Sequence, residues 1–212
     1  MMLFHGFFRS SAAWRCRIAF NLKGLTPEFR AVPLRKGAQR APDYLALNPQ
    51  GLVPALEVDG QVLTQSLAII EWLDETQPGP RLLPRDADER AAARAFALAI
   101  AADIHPLQNL RVLGYLDRVF GADQAAKDAW CAAWIRPGLE ACEALARRRP
   151  DGPFLFGDTP GIAEICLIPQ LASAARFGVD VADLTQLAKV NAACAALDAF
   201  RQAAPAEQPD AE

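Results

Sequence analysis

A chain of 212 residues is long enough for one large domain or two small ones, each with a proper core. Its 52% hydrophobic and 22% charged residues are an ordinary globular mixture, and a net charge of −3 gives no footing for nucleic acid or an anionic membrane surface. Five scattered cysteines without a CxxC spacing, and only His5 and His105, argue against a disulfide framework, a zinc site or any other metal centre, and for a reducing, cytoplasmic setting. No apolar run reaches the ~18 residues of a membrane span. The opening MMLFHGFF lacks a basic n-region, so it is expected to be a strand and not a secretory signal.

In chain order, Leu3–Phe8 reads as a first strand. A helix follows from about Ala12, with Ile18, Ala19 and Leu22 on one face and Gly24 as its stop. Pro27–Leu34 reads as a second strand, followed by the loop RKGAQRAP and a short helix over Asp43–Leu47. The sequence PALEV-DG-QVLTQ predicts two strands joined by a two-residue hairpin turn at Asp59-Gly60. Ser66 is expected to cap the helix LAIIEWLDET. The order β-α-β-α-β-β-α is that of a thioredoxin-like domain, assigned to residues 1–80.

Pro78–Ala87 is proline-rich and charged and reads as a linker. Everything beyond it is helical in pattern, giving an all-helical domain over 88–212. A long alanine-rich helix begins near Asp88 and is expected to bend at His105-Pro106. Further helices are predicted over about Ala122–Arg149, Ile162–Arg176 and Thr185–Ala199, with the polar tail PAEQPDAE fraying. The predicted fold class is therefore α/β followed by all-α.

The paired serines Ser10 and Ser11 stand at the mouth of the first helix, where a cap needs only one. A hydroxyl donor at a helix N-terminus can also stabilise a thiolate, which is the reactive form of a thiol with a pKa of about 8.5. The segments RSSAAWRCRIAF, ALNPQGLVPALEVDG, QSLAIIEWLDE, LLPRDADERA and DIHPLQNLRVL, with FGDTPGIAEICLIPQLASAARFGVD and AFRQAAPAEQPD, together resemble the zeta class of glutathione transferases. That class includes the maleylacetoacetate and maleylpyruvate isomerases. The resemblance covers nearly the whole chain in order, and the double serine and the QS-x-AI-x-E-[WY]-L block are its most specific parts.

The resemblance implies glutathione as cofactor and assigns roles residue by residue. Ser10 falls on the thiol-activating position, with Ser11 beside it; on the residues alone both could be simple capping serines. Val53 and Pro54 fall on a segment with a cis-proline, where the Val53 backbone pairs with the bound tripeptide. Gln65 and Ser66 fall on the site for the γ-glutamyl end, a role suited to a helix N-terminus, and Gln39 on a glutamine reaching the glycyl end. His105 and Asn109, four residues apart on the expected long helix, become residues of the glutathione cleft; a lone histidine beside a proline is otherwise structural. Arg9, Arg111 and Arg176 are implied to hold the carboxylates of a dianionic substrate, since guanidinium groups match carboxylates; the alternative for each is an exposed ion pair of little energetic weight. On a straight helix Arg111 lies about 200° from Asn109, so it needs the Pro106 distortion to share its face.

Two departures from the family pattern stand out. Ala12 replaces a cysteine that many members carry and that some use to dehalogenate aromatics, which speaks against that chemistry here. Gly161 and Glu164 replace the usual threonine and aspartate of a helix-capping box, so the cap loses its side-chain acceptor. The expected activity is glutathione-dependent cis–trans isomerisation of a small dianionic keto acid, maleylacetoacetate or maleylpyruvate, of the kind formed in aromatic and tyrosine catabolism, by a homodimer. A general glutathione transferase acting on small electrophiles, or a non-catalytic binding module of the same fold, are the alternatives.

Overall fold

Phe4 and Phe20 meet edge to face, with ring centroids 5.1 Å apart, and between them fix the first helix on the first strand. In the computed structural model, which describes residues 1–212, strand β1 spans Met2–Gly6 and helix α1 spans Ser11–Leu22. Strand β2 covers Glu28–Ala31 and pairs parallel to β1, an arrangement that requires the crossover α1 supplies. Strands β3 (Ala55–Val58) and β4 (Gln61–Thr64) form the expected hairpin. Asp59 and Gly60 both take positive φ, 49° and 80°, as a two-residue turn matched to strand twist demands. The sheet order is β2-β1-β3-β4, with β1 and β3 antiparallel through Phe4 opposite Leu56. Helix α2 (Pro42–Leu47) follows two short 3-10 turns, Leu34–Lys36 and Ala38–Arg40, and helix α3 (Ser66–Thr76) buries Ile69, Ile70 and Leu73.

Both early strands are shorter than their apolar runs. Phe7 and Phe8 leave the ladder but stay buried, in a cluster with Val32, Tyr44 and Val53. Beyond Val32, which donates to Gly6 O at 2.7 Å, Pro33 has no N–H to continue the pairing, and the chain turns.

The chain forms two compact units, Met1–Leu83 with Ala195–Glu212, and Pro84–Cys194. The segment after residue 195 therefore packs with the α/β unit and not with the helical one. Nor does it fray. A short helix α9 (Asp198–Arg201, preceded by α8 at Thr185–Ala195) lies on α1, with the Asn21 side chain donating to Ala199 O at 2.9 Å. The proline-rich stretch is likewise anchored, because Leu82 and Leu83 are buried and Leu82 N donates to the buried Asp74 carboxylate.

In the second unit the long predicted helix is broken into segments. Helix α4 (Ala87–Leu98), capped by Asp86, passes into a π-type turn over Ala99–Ile104 and a 3-10 turn over His105–Gln108. A separate helix α5 (Leu110–Phe120) then starts from its own cap, Asn109. The π turn closes on α6 (Gln124–Ala146) at Gly138, where a Cβ would come within 2.4 Å of the Ile104 side chain. Helix α7 (Ile162–Arg176) is as expected in extent. Its cap is Gly161 without a side-chain acceptor, as expected; only the other half of the box is made, with Glu164 accepting from Gly161 N at 2.8 Å and also from Leu155 N at 2.7 Å. All five cysteines are buried, and none is joined in a disulfide. No helix is long and apolar enough to cross a membrane, and no cluster of His, Cys, Asp and Glu could hold a metal.

Candidate functional site

Ser10 is the cap of α1, extended at φ −70° and ψ 115°, and its Oγ accepts from Ala13 N at 3.2 Å. With that lone pair engaged, the hydroxyl keeps its proton to donate elsewhere. The first turn of α1 carries no acidic residue, so the positive end of its dipole is not neutralised by its own sequence. Ser11 is the first helical residue, and Arg9 stands exposed in the turn just before the pair.

The peptide bond between Val53 and Pro54 is cis, as the resemblance implied. β3 begins only at Ala55, so Val53 lies outside the strand ladder. The cluster of Phe7, Phe8, Val32, Tyr44 and Val53, with Ala38 and Leu34 packed against it, draws three distant stretches together: the approach to Ser10, the turn bearing Gln39, and the cis-proline segment. Gly51 sits where a Cβ would come within 2.9 Å of Gln39 O, so only glycine allows these last two to touch. Gln39 Oε1 is buried with no hydrogen-bond partner in the chain.

At the start of α3 the expectation for Ser66 is corrected. The cap is Gln65, and Ser66 is the first helical residue. β4 ends at Thr64, which leaves a single residue to reverse the chain, and Gln65 does so at φ 68°, a left-handed value unusual for a side chain with a Cβ. Gln65 makes no capping bond; its amide donates to Gln50 Oε1 at 2.9 Å. The leading N–H groups of α3 thus have no side-chain cap and no acid in the first turn. Ser66 is buried, and its Oγ accepts from Arg15 Nη1 at 3.4 Å, while Cys16 Sγ lies 3.9 Å from Ser66 O. Arg15, only 2% exposed, is a residue the sequence reading missed. An arginine on a surface helix reads as solvated, and nothing in its local pattern marks the buried face.

In the second unit, His105 opens the 3-10 turn and Asn109 caps α5, its Oδ1 accepting from Arg111 N at 3.0 Å. His105 and Asn109 are therefore not i and i+4 on one helix. Asn109 has extended backbone, φ −70° and ψ 147°, so the straight-helix geometry that set Arg111 apart does not apply. Arg111 is exposed in the first turn of α5. Arg176, exposed at the end of α7, lies with its Cζ 4.4 Å from the Phe177 ring centroid.

A hydroxyl donor at one helix start and uncapped N–H groups at another suit a ligand with a thiol and a carboxylate. Residues 9–76 match the glutathione S-transferase N-terminal domain family, and residues 124–203 match the C-terminal domain family. A maleylpyruvate isomerase from Ralstonia is 52% identical over 99% of each chain. The holo structure of a maleylpyruvate isomerase, described as a bacterial glutathione S-transferase of the zeta class, superposes with a TM-score of 0.96 at 51% identity, covering 99% of this chain and all of that one. A maleylacetoacetate isomerase from Methylobacterium extorquens, solved with malonate and glutathione, gives a TM-score of 0.95 at 39% identity over 99% of each chain. The chain belongs to the glutathione S-transferase family, within its zeta class.

Proposed function

We propose that the protein is a glutathione-dependent cis–trans isomerase of a maleyl keto acid, acting in the cytoplasm as a homodimer. The observation that carries the reading is Ser10, whose oxygen already accepts the Ala13 N–H and whose proton is left to hold a thiolate. When bound, glutathione supplies a nucleophilic sulfur whose reversible addition lets the cis double bond rotate, and it is returned unchanged. The chain's own work is binding and electrostatics. The open start of α3, with Gln65 and Ser66, holds the γ-glutamyl carboxylate; the Val53 backbone and Gln39 take the rest of the tripeptide. His105 and Asn109 contribute to the cleft. Arg9, Arg111 and Arg176 hold the two carboxylates of the substrate, and Ser10 keeps the sulfur charged, with Ser11 next to it.

Maleylacetoacetate and maleylpyruvate should each be assayed with and without glutathione. Isomerisation is expected only in its presence, with no fall in its concentration; consumption in step with product would make the enzyme a conjugating transferase. Replacing Arg9 or Arg176 with Met should lower kcat/KM for the dianion by about ten- to a hundred-fold, the value of one charge-assisted hydrogen bond, while a neutral electrophile reacts as before. Arg111 should follow the same pattern. Unchanged dianion kinetics in both the Arg9 and Arg176 variants would sink the clamp.

A further inference from the structure

Phe8, two residues before Ser10, has both of its backbone polar groups taken by parts of the chain far from it or by side chains that those parts hold. Its N–H donates to Asp210 Oδ2 at 3.0 Å. Its carbonyl accepts from Arg17 Nη2 at 2.9 Å, and Arg17 Nη1 lies 3.5 Å from Phe7 O. Arg17 is itself tied to the same distant segment, because its Nε donates to Ala203 O at 2.9 Å. Between these anchors the segment is braced internally: Pro205–Glu207 form a 3-10 turn, and the Gln208 amide donates to both Gln202 O and Ala204 O at 2.9 Å. We infer that residues 202–210 are a strap across the β1–α1 turn, and that Asp210 is the positioning residue through which the strap holds Ser10 in register.

Three features separate this from ordinary packing. The bond is made to backbone, so it fixes the path of the chain and not merely one side chain. It is charge-assisted, and the negative charge of Asp210 also favours the charged form of the buried Arg17 guanidinium, a cation otherwise costly to bury. Finally, the strap touches the turn before Ser10, whereas the start of α3 is held by Gln50 and Arg15. Loosening the strap should therefore leave the carboxylate end of a bound tripeptide in place and move the hydroxyl relative to the sulfur. The Arg35–Glu212 contact at 3.5 Å is exposed and contributes little.

The inference rests on the reading of Ser10 as the thiol-activating group, and the experiment separates the two. Three variants are made in the full protein: Asp210→Ala, a chain ended after Gln208, and Asp210→Asn, which keeps an acceptor oxygen. Amide hydrogen exchange without ligand should be at least about tenfold faster at Phe8 in the first two, with the start of α3 unchanged. With glutathione bound, the thiol, followed by its thiolate absorbance, should titrate at higher pH than in the parent. kcat should fall about tenfold while KM for glutathione moves less than about threefold. Asp210→Asn should fall between parent and Ala in every readout, and it decides the matter if the other two do not fold. Parental exchange at Phe8 with parental thiol titration, or a raised KM with unchanged kcat, would overturn the strap as a positioning device. If the parent binds no glutathione, the proposed function fails, while exchange at Phe8 still decides whether the strap holds the turn.

Discussion

The starts of α1 and α3 show two opposite ways of leaving a helix N-terminus. At α1 the sequence closes the helix itself: Ser10 accepts the Ala13 N–H from an ordinary extended conformation. At α3 nothing closes it; Gln65 turns the chain at positive φ, spends its amide on Gln50, and leaves the leading N–H groups to whatever arrives. The first arrangement is a local structural feature with a hydroxyl proton left over. The second stores a local cost, of order 1–3 kcal/mol for a non-glycine residue held there, that a bound carboxylate can offset. A helix start that looks poorly made is the better guide to ligand binding.

The largest expected effect sharpens the α1 side. Ser10→Ala should reduce kcat by about a hundredfold and also lower stability by about 1 kcal/mol through the lost cap. Ser10→Asp separates these two roles, because aspartate caps well but offers no proton to a thiolate. Stability should recover and activity should not; recovery of both would reduce Ser10 to a cap. Ser11→Ala, which leaves the cap intact, should cost less than Ser10→Ala in kcat.

On the α3 side, Ser66→Ala removes the oxygen that the buried Arg15 guanidinium reaches. A loss of about 1–3 kcal/mol in unfolding free energy is expected, with KM for glutathione up about tenfold and kcat little changed. Equal effects on KM and kcat would mean that Ser66 and Ser10 act as one group and not as two separate sites. The smallest effect carries the comparison furthest. Gln65→Gly accepts φ 68° without a Cβ, so thermal unfolding should show a protein more stable by up to about 1 kcal/mol. Glutathione affinity should drop several-fold as the Gln50 link and the amide are lost. A variant both less stable and tighter binding would refute the idea that strain is held there for the ligand.

What the sequence discloses divides along the same physical line. The hairpin at Asp59-Gly60 and the Ser10 cap are local chemistry and stand as expected. The role of Ser66 was misplaced by one residue because the reversal after β4 depends on how far the strand pairs, which Thr64 itself does not announce. The alanine-rich run through Ile104 keeps a helical appearance, and only the fit of Ile104 against Gly138 reveals that the helix widens there. Asn109, three residues after Pro106, is a readable cap signal that an unbroken helix through this run passes over. Polar composition made the tail look frayed, whereas its anchors are hydrogen bonds to residues almost the whole chain away. Arg15 was illegible for the same reason: what holds it is tertiary.

Burial of the cysteines has a consequence for durability. A maleyl keto acid is an electrophile, and any accessible thiolate of the protein would compete with the bound tripeptide for it. Burial pushes the Cys131 thiol up to about 11 and the Cys142 thiol up to about 12, and raises Cys194 as well. At neutral pH the Cys131 thiol therefore stays protonated. With alanine at position 12, no cysteine is added at the head of α1 either. Cys131, Cys142 and Cys194 are thus poor competitors for the electrophile beside the sulfur that arrives with glutathione. An alkylation that goes too far therefore damages a molecule that dissociates, and the catalyst survives its own mistakes by having them carried away.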